Sequence, residues 1–158
     1  MRPHHRTLVL ENRQISIRME QMTDQMVGRT GLSAAQAHLL LYILCHADEG
    51  ISLTDIHREF GYSMAALSNI LKRLRGGGGY VRAETSQRDN RRKRLYGTEK
   101  ALAARSELEQ ALRESCEAVY RGFSEEELCQ LEALQKRMLE NLVAPAGAPE
   151  TIRREWRK

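Results

Sequence analysis

The 158-residue chain is 41% hydrophobic and carries a formal net charge of +4 at pH 7, so it can bury the core of one globular domain. Its longest apolar run, 39–45, is too short for a membrane span, and the apolar residues 8–10 after the basic N-terminus are too few for a signal peptide. Three widely separated cysteines without CxxC spacing argue against a disulfide framework and a zinc cluster, and they fit a soluble protein of a reducing cytoplasm.

The first predicted element is a long helix from Leu8 to about Val27. Its evidence is an apolar stripe with helical spacing, made of Ile15, Met19, Met22 and Met26. We expect these methionines to fill gaps between packed helices. Residues 1–7 are predicted to be a flexible N-terminus.

A second helix is predicted from Ala34 to about His46, opened by a capping box between Ser33 and Gln36. We expect Cys45, within this apolar helix, to be a small buried hydrophobe, because a reactive thiolate needs a nearby positive charge or helix N-terminus. The residues expected to face inward are Leu39, Leu40, Ile43 and Leu44.

Two short helices joined by a tight turn follow, and this arrangement is a helix-turn-helix. The first begins near Ser52 and ends at Phe60, with Gly61 as a left-handed stop, and Ser63 caps the second. The second helix directs Leu67, Ile70, Leu71 and Leu74 inward. Its outward residues are small, polar or basic: Met64, Ala65, Ser68, Asn69, Lys72 and Arg73.

A basic β-hairpin is predicted next. Gly76–Gly79 end the helix, and the strand-like segments 80–84 and 94–96 flank a polar tip at 85–90. From Lys72 to Arg94 the chain has nine Lys or Arg against two acids, a net charge of +7, whereas the remainder sums to −3. This concentration is typical of a surface that neutralises phosphates; the alternative is a solvated charged face without function.

Two further helices are predicted after Thr98. Leu102, Leu108, Leu112 and Val119 mark one that ends near Tyr120, and a capping box between Ser124 and Glu127 opens the last, which continues to Leu142. Residues 143–158 form an Ala/Pro-rich linker and a basic tail. The predicted fold class is mainly α with a small β-hairpin. Apolar stripes on the first and the last two helices exceed what a small core can cover, so we expect a homodimer.

The order of these elements resembles the MarR-type winged helix-turn-helix transcription regulators. The segment "LTDIHREFGYSMAALSNILKRL" at 53–74 is similar to the family's helix-turn-helix, and Asp89, Arg91 and Thr98 match its wing pattern. Gly97 and Ala101 depart from that pattern, which is expected to weaken the anchor of the wing. The resemblance implies a DNA-binding lobe at 33–97 and a helical dimerisation region at 8–32 and 98–142.

The candidate DNA-binding residues lie in the helix-turn-helix and the wing. Recognition helices enter the major groove with their N-terminal residues, so base edges are expected to meet Ser63, Met64, Ala65, Ser68 and Asn69. Lys72 and Arg73 are expected to hold phosphates. The resemblance makes Arg91 the wing arginine, oriented by Asp89, with a surface ion pair as the alternative. The other basic residues of the wing site are Arg88, Arg92 and Lys93.

The sequence therefore predicts a transcriptional regulator, a repressor that binds double-stranded DNA as a homodimer at a pseudo-palindromic operator. By resemblance alone, a small-molecule effector would bind in a cleft between the dimerisation helices and the DNA-binding lobe. The alternative is a winged-helix protein-interaction module without sequence-specific DNA binding. His38, His46 and His57 lack metal-ligand spacing, and no reactive constellation is recognisable, so we expect no metal, no cofactor and no enzymatic activity.

Overall fold

A computed structural model describes residues 3–77, 79–85 and 93–143 of the chain. The elements are, in order, α1 (Pro3–Val27), a short 3₁₀ helix (Gly28–Thr30), α2 (Ala34–Cys45), β1 (Ile51–Ser52), α3 (Leu53–Phe60), α4 (Met64–Arg75), β2 (Val81–Thr85), β3 (Lys93–Gly97), α5 (Glu99–Val119) and α6 (Glu125–Val143). The predicted fold class, mainly helical with a small hairpin, is confirmed.

The helix starts follow the capping residues that the sequence supplies. Ser33 and Gln36 form the reciprocal capping box of α2. The side chain of Ser52 caps α3, and that of Ser63 caps α4. Gly61 ends α3 with a φ of 66°, a conformation that glycine adopts without the Cβ clash of other residues. Local chemistry therefore fixes both boundaries of the turn between α3 and α4.

The three strands form one antiparallel sheet in the order β1-β3-β2. β2 and β3 pair along their full length, from Val81 with Gly97 to Thr85 with Lys93, which confirms the predicted hairpin. β1 adds Ile51 opposite Leu95 on the other side of β3. β1 was not predicted, because two residues are too few to show the alternation that identifies a strand.

The hydrophobic core joins α1, α2 and α5 to the helix-turn-helix and the sheet. α2 lies at its centre and contacts α1, α4, α5 and β3. The inward residues predicted for α2 are buried, as are three of the four predicted for α4, Ile70 being half-buried. The fully buried large side chains of the described residues are Val27, Leu39, Leu40, Ile43, Ile56, Leu67, Leu74 and Leu108.

α1 differs from its prediction in both its start and its buried face. It begins at Pro3, not at Leu8, because proline is tolerated in the first turn of a helix, where its missing N–H is not needed. Its buried residues are Thr23 and Val27, whereas Ile15 of the predicted stripe is 52% exposed. The three methionines of the stripe are half-buried beside that face.

Cys45 is exposed, so the prediction of a buried hydrophobe was wrong. It is the last residue of α2, and the two residues before it, Ile43 and Leu44, are buried in the core. Each helical residue turns about 100° from the one before, and Cys45 therefore faces away from the core.

Gly97, where the sequence predicts a weakened wing anchor, lies against Leu44 of α2. A Cβ on Gly97 would collide with Cδ2 of Leu44, so glycine is what allows this buried leucine to pack under the end of β3. Thr98, which follows β3, is hydrogen-bonded to the two residues that precede β2. Its Oγ1 donates to the carbonyl of Gly79 at 2.7 Å, and its N–H donates to the carbonyl of Tyr80 at 3.0 Å. The base of the wing is held at both strands.

The close approach at Gly97 also changes the inward face of α5. Ala101 is fully buried, and its Cβ would lie 3.4 Å from a Cβ on Gly97, whereas Leu102 of the predicted stripe is 47% exposed. A small residue is required where the helix starts this close to the strand. The residues that α5 buries are Ala101, Leu108, Ala111 and Ser115.

The chain divides into two compact units at the boundary between Val119 and Tyr120. The second unit contains α6, opened by the predicted capping box: Ser124 N–H donates to Glu127 Oε2 at 2.8 Å, and Glu127 N–H donates to Ser124 Oγ at 3.2 Å. The predicted grouping of 8–32 with 98–142 as a dimerisation region stays a prediction. The predicted linker and tail lie, after Val143, outside the described residues.

Candidate nucleic-acid interface

The outer face of α4 is a continuous exposed surface. Leu67, Leu71 and Leu74 anchor the helix in the core. Every predicted contact residue of this helix and its cap is exposed: Ser63, Met64, Ala65, Ser68, Asn69, Lys72 and Arg73. Met64 and small or polar side chains occupy the first two turns, and basic ones occupy the last turn, where cations also interact favourably with the helix dipole.

The turn that leads into α4 is held by an aromatic cluster. The rings of Tyr42 and Phe60 meet edge to face with centroids 5.1 Å apart, and those of Phe60 and Tyr62 stack at 5.9 Å. Nδ1 of His57 donates to the carbonyl of Tyr62 at 2.6 Å. Because Tyr62 directly precedes the N-cap Ser63, these contacts fix the direction in which α4 leaves the core.

The start of α3 is stabilised by a reciprocal pair. The N–H of Asp55 donates to Ser52 Oγ at 3.2 Å, and the Ser52 hydroxyl donates to Asp55 Oδ2 at 2.5 Å. This bond, together with the nearby Arg58, holds the pKa of Asp55 below its usual range, although burial opposes the shift. The carboxylate is thus retained near the N-terminus of α3, where the helix dipole favours it.

A basic groove of about 750 Å³ lies between α4 and the hairpin. Its apolar lining comes from both elements and includes Leu71 and Leu95. The cations that line it are Lys72, Arg75, Arg82 and Lys93, and the described residues place no carboxylate among its lining side chains. We call this feature the basic groove. Its positive charge is suited to a sugar-phosphate strand.

Two cations of the basic groove, Arg75 and Arg82, were missing from the predicted DNA-binding set. Both belong to the basic window of the sequence, so charge alone could have identified them. The positive charge of Arg82 is partly neutralised, since Arg82 forms an ion pair with Glu84. Its guanidinium also lies 4.9 Å from the centroid of the Tyr96 ring. Arg75 is exposed.

The hairpin is fastened to the loop before β1 through the side chains of β3. Nη1 of Arg94 donates to the carbonyl of Gly50 at 2.9 Å, and the hydroxyl of Tyr96 donates to the carbonyl of Glu49 at 3.2 Å. These bonds give Arg94 a structural role. Lys93, at the start of β3, is exposed and lines the basic groove. The other predicted wing residues lie outside the described residues: Arg88, Asp89, Arg91 and Arg92.

A second cavity, of about 310 Å³, lies between α1, α2 and α5. Thr23 and Ser115 form its buried polar contact, with their hydroxyl oxygens 2.8 Å apart. The other polar lining residues include Glu20, His38 and Tyr62. Burial, and secondly the Glu20 carboxylate, raise the pKa of Tyr62, so this phenol stays protonated at neutral pH. We call this cavity the cleft.

Across 3–77, 79–85 and 93–143, no three His, Cys, Asp or Glu side chains come together as a metal site. In the same ranges, no helix has the length and apolar character needed to cross a membrane.

Solved structures share this fold over most of their length. A MepR–DNA complex from S. aureus is 25% identical, with a TM-score of 0.77 over 85% of this chain and 97% of that one. The transcriptional regulator SlyA is 19% identical, with a TM-score of 0.77 and coverage of 95% and 96%. A MarR family regulator from Listeria monocytogenes, in complex with a 26mer DNA, is 19% identical, with a TM-score of 0.76 and coverage of 85% and 87%.

The sequence itself matches no family model and no curated protein. The assignment therefore depends on the three-dimensional comparison and on the order of the elements, and SlyA and the Listeria protein are both named transcriptional regulators. In fold, the chain is a winged helix-turn-helix protein of the MarR type, as the sequence resemblance predicted.

Proposed function

We propose that the chain is a transcriptional regulator of the cytoplasm, which binds double-stranded DNA as a homodimer at a pseudo-palindromic operator. One observation carries the proposal: the exposed polar face of α4 adjoins a groove lined by four cations, in a fold shared with two DNA-bound proteins. α4 would enter the major groove, and the basic groove would hold the adjacent backbone. The exposed first turns suit base contacts because side chains there can reach base edges.

The wing completes the proposed contact. Arg91 would reach the minor groove or its flanking phosphates with Asp89 orienting it, as the family resemblance implies. Repression is proposed as the mode of control because a protein that covers an operator excludes other DNA-binding proteins. An effector in the cleft would then release the operator by altering the separation of the two α4 helices.

The proposal is tested by selecting bound duplexes from a random DNA pool and measuring affinity for the selected sequence against salt. We expect an inverted-repeat consensus and a steep linear fall of log affinity with log salt concentration. Duplexes without a consensus, bound no more tightly than random DNA, would instead favour the protein-interaction module.

Asn69 and Lys72 should differ in their effects on DNA binding. Asn69→Ala is expected to change which bases are preferred, because its exposed amide lies within the base-reading turns of α4. Lys72→Ala should weaken all duplexes alike and shallow the salt slope by about one unit, because it removes a cation that neutralises a phosphate. Titration of each variant on selected and random duplexes compares the two. Equal effects on both duplexes from both variants would contradict this division of roles.

The homodimer should be evident at micromolar concentration. Leu8, Val9 and Leu10 of α1 are more than half exposed to solvent. Leu139 and Leu142 of α6 are also more than half exposed. Apolar area of this extent is expected to be covered by a second copy. Sedimentation equilibrium should give twice the monomer mass of 18.1 kDa. A stable monomer under these conditions would contradict the proposal that a homodimer binds a pseudo-palindromic operator.

A further inference from the structure

We propose that the cleft binds an organic ammonium ion, with its charged group at Glu20 and its apolar body along α1 and α5. This inference rests on the proposed function, in which the cleft holds an effector. It names the chemical class of that effector.

The charge of the cleft selects against anions. Glu20 is exposed, at the solvent side of the cleft, and it is a carboxylate. Among the described side chains that line the cleft there is no Lys and no Arg to neutralise it. A carboxylate on a ligand would therefore be repelled, whereas an ammonium group would gain a charge-assisted hydrogen bond.

The hydrogen-bonding groups of the cleft also favour a donor. Nδ1 of His38 lies 2.8 Å from the carbonyl of Ala34, so Nδ1 donates there, and in the tautomer with one N–H this leaves Nε2 as an acceptor. The ionised carboxylate of Glu20 can only accept. The hydroxyls of Thr23 and Ser115 already satisfy each other. The hydroxyls of Ser16 and Tyr62, which also line the cleft, can either donate or accept. An ammonium group, which has several N–H donors and no acceptor, therefore complements the acceptors of Glu20 and His38.

The cleft also has apolar lining residues that can hold a ring. Met19 on α1 and Leu112 and Val119 on α5 line the cleft, whose volume of about 310 Å³ exceeds that of a naphthalene ring with a short side chain. Methionine adapts its shape to irregular aromatic ligands. The cleft therefore fits a cation that is amphipathic.

Occupancy of the cleft can be communicated to α4 through Tyr62. Its ring lines the cleft and stacks on Phe60, and its carbonyl accepts the hydrogen bond from His57. A ligand that displaces this ring would disturb the turn that precedes Ser63 and hence the direction of α4. The cation should accordingly lower operator affinity.

Calorimetry on the full chain tests the ligand class with three matched probes: naphthylmethylamine, naphthylmethanol and naphthoate. We expect the amine, protonated at pH 7, to bind about tenfold more tightly than the alcohol, because it adds a hydrogen bond to a charged group. Glu20→Gln should abolish that preference, whereas Glu11→Gln, also on α1 but outside the cleft, should preserve it. Equal or tighter binding of the alcohol or naphthoate, a preference that survives Glu20→Gln, or no binding of the amine would overturn the proposal.

Alkylation of Cys116 can show whether the amine binds in the cleft, because Cys116 is exposed and lines the cleft. Cys45 is also exposed but does not line the cleft, so it serves as the control. The amine should slow alkylation of Cys116 by iodoacetamide and leave Cys45 unchanged. Unchanged alkylation of Cys116 at saturating amine would place the ligand elsewhere and overturn the proposal. Operator affinity without ligand is measured separately, so failure of the proposed DNA binding is distinguishable from failure of the ligand class.

Discussion

Gly50→Ala is expected to lower the free energy of unfolding by about 2 to 4 kcal/mol, the sum of a backbone cost and a packing cost. Gly50 has a φ of 66°, which disfavours any residue with a Cβ. A Cβ there would lie 2.7 Å from Cε1 and 2.8 Å from the hydroxyl oxygen of Tyr96, and closer still to Cζ. The ring cannot move away freely, because its hydroxyl donates to the backbone carbonyl of Glu49 and Arg82 lies over its face.

Gly61→Ala is the matched control for the backbone cost. Gly61 also has a φ of 66°, but a Cβ there would meet nothing within 4 Å. Its alanine variant should lose only about 1 to 2 kcal/mol. Urea denaturation followed by circular dichroism measures both changes. Equal losses would mean that the Tyr96 contact contributes nothing, and that β3 is held in place by other interactions.

Gly50→Ala should also displace the hairpin, since Tyr96 belongs to β3 and the carbonyl of Gly50 accepts from Arg94. At a temperature where circular dichroism shows the Gly50→Ala variant to be folded, its operator affinity is then expected to be lower than that of the unchanged protein. This comparison separates loss of fold from loss of the wing position.

The helix-turn-helix could be predicted from the sequence because its determinants are local. Caps at Ser33, Ser52 and Ser63 act on residues within one turn, and the apolar spacing in α4 selects one buried face. The exposed contact face followed directly from that spacing, since residues on the opposite side of a helix with one buried face must be solvated.

Features that depend on contacts distant in sequence could not be predicted. β1 exists because Ile51 pairs with Leu95, and glycine is needed at position 97 because Leu44 packs beneath it. Neither partner is marked as such in the sequence. The hydrogen-bond acceptors of the cleft could not be predicted either. Glu20 and His38 line one cavity only because α1, α2 and α5 pack together.

Simultaneous replacement of Lys72, Arg75 and Lys93 by glutamine should have the largest effect on DNA binding. All three are exposed and line the basic groove, so we expect operator affinity to fall roughly a hundredfold at physiological salt. The slope of log affinity against log salt concentration should become shallower by about three units per bound protomer, because a phosphate that the protein no longer neutralises keeps its counterions. Fluorescence anisotropy with a labelled operator measures both quantities.

A control variant replaces Arg113, Lys136 and Arg137, exposed cations of α5 and α6, by glutamine. It removes the same formal charge from residues that do not line the groove, and its salt slope should change little, since the groove keeps every cation that would neutralise a phosphate. If the control variant weakened operator binding as much as the groove variant, net charge and not the groove would drive association. The groove variant alone is expected to lose affinity, and the loss should be equal for selected and random duplexes. This result would mean that the groove binds the DNA backbone and that another surface recognises the base sequence. The exposed first turns of α4 are the surface we expect to read it.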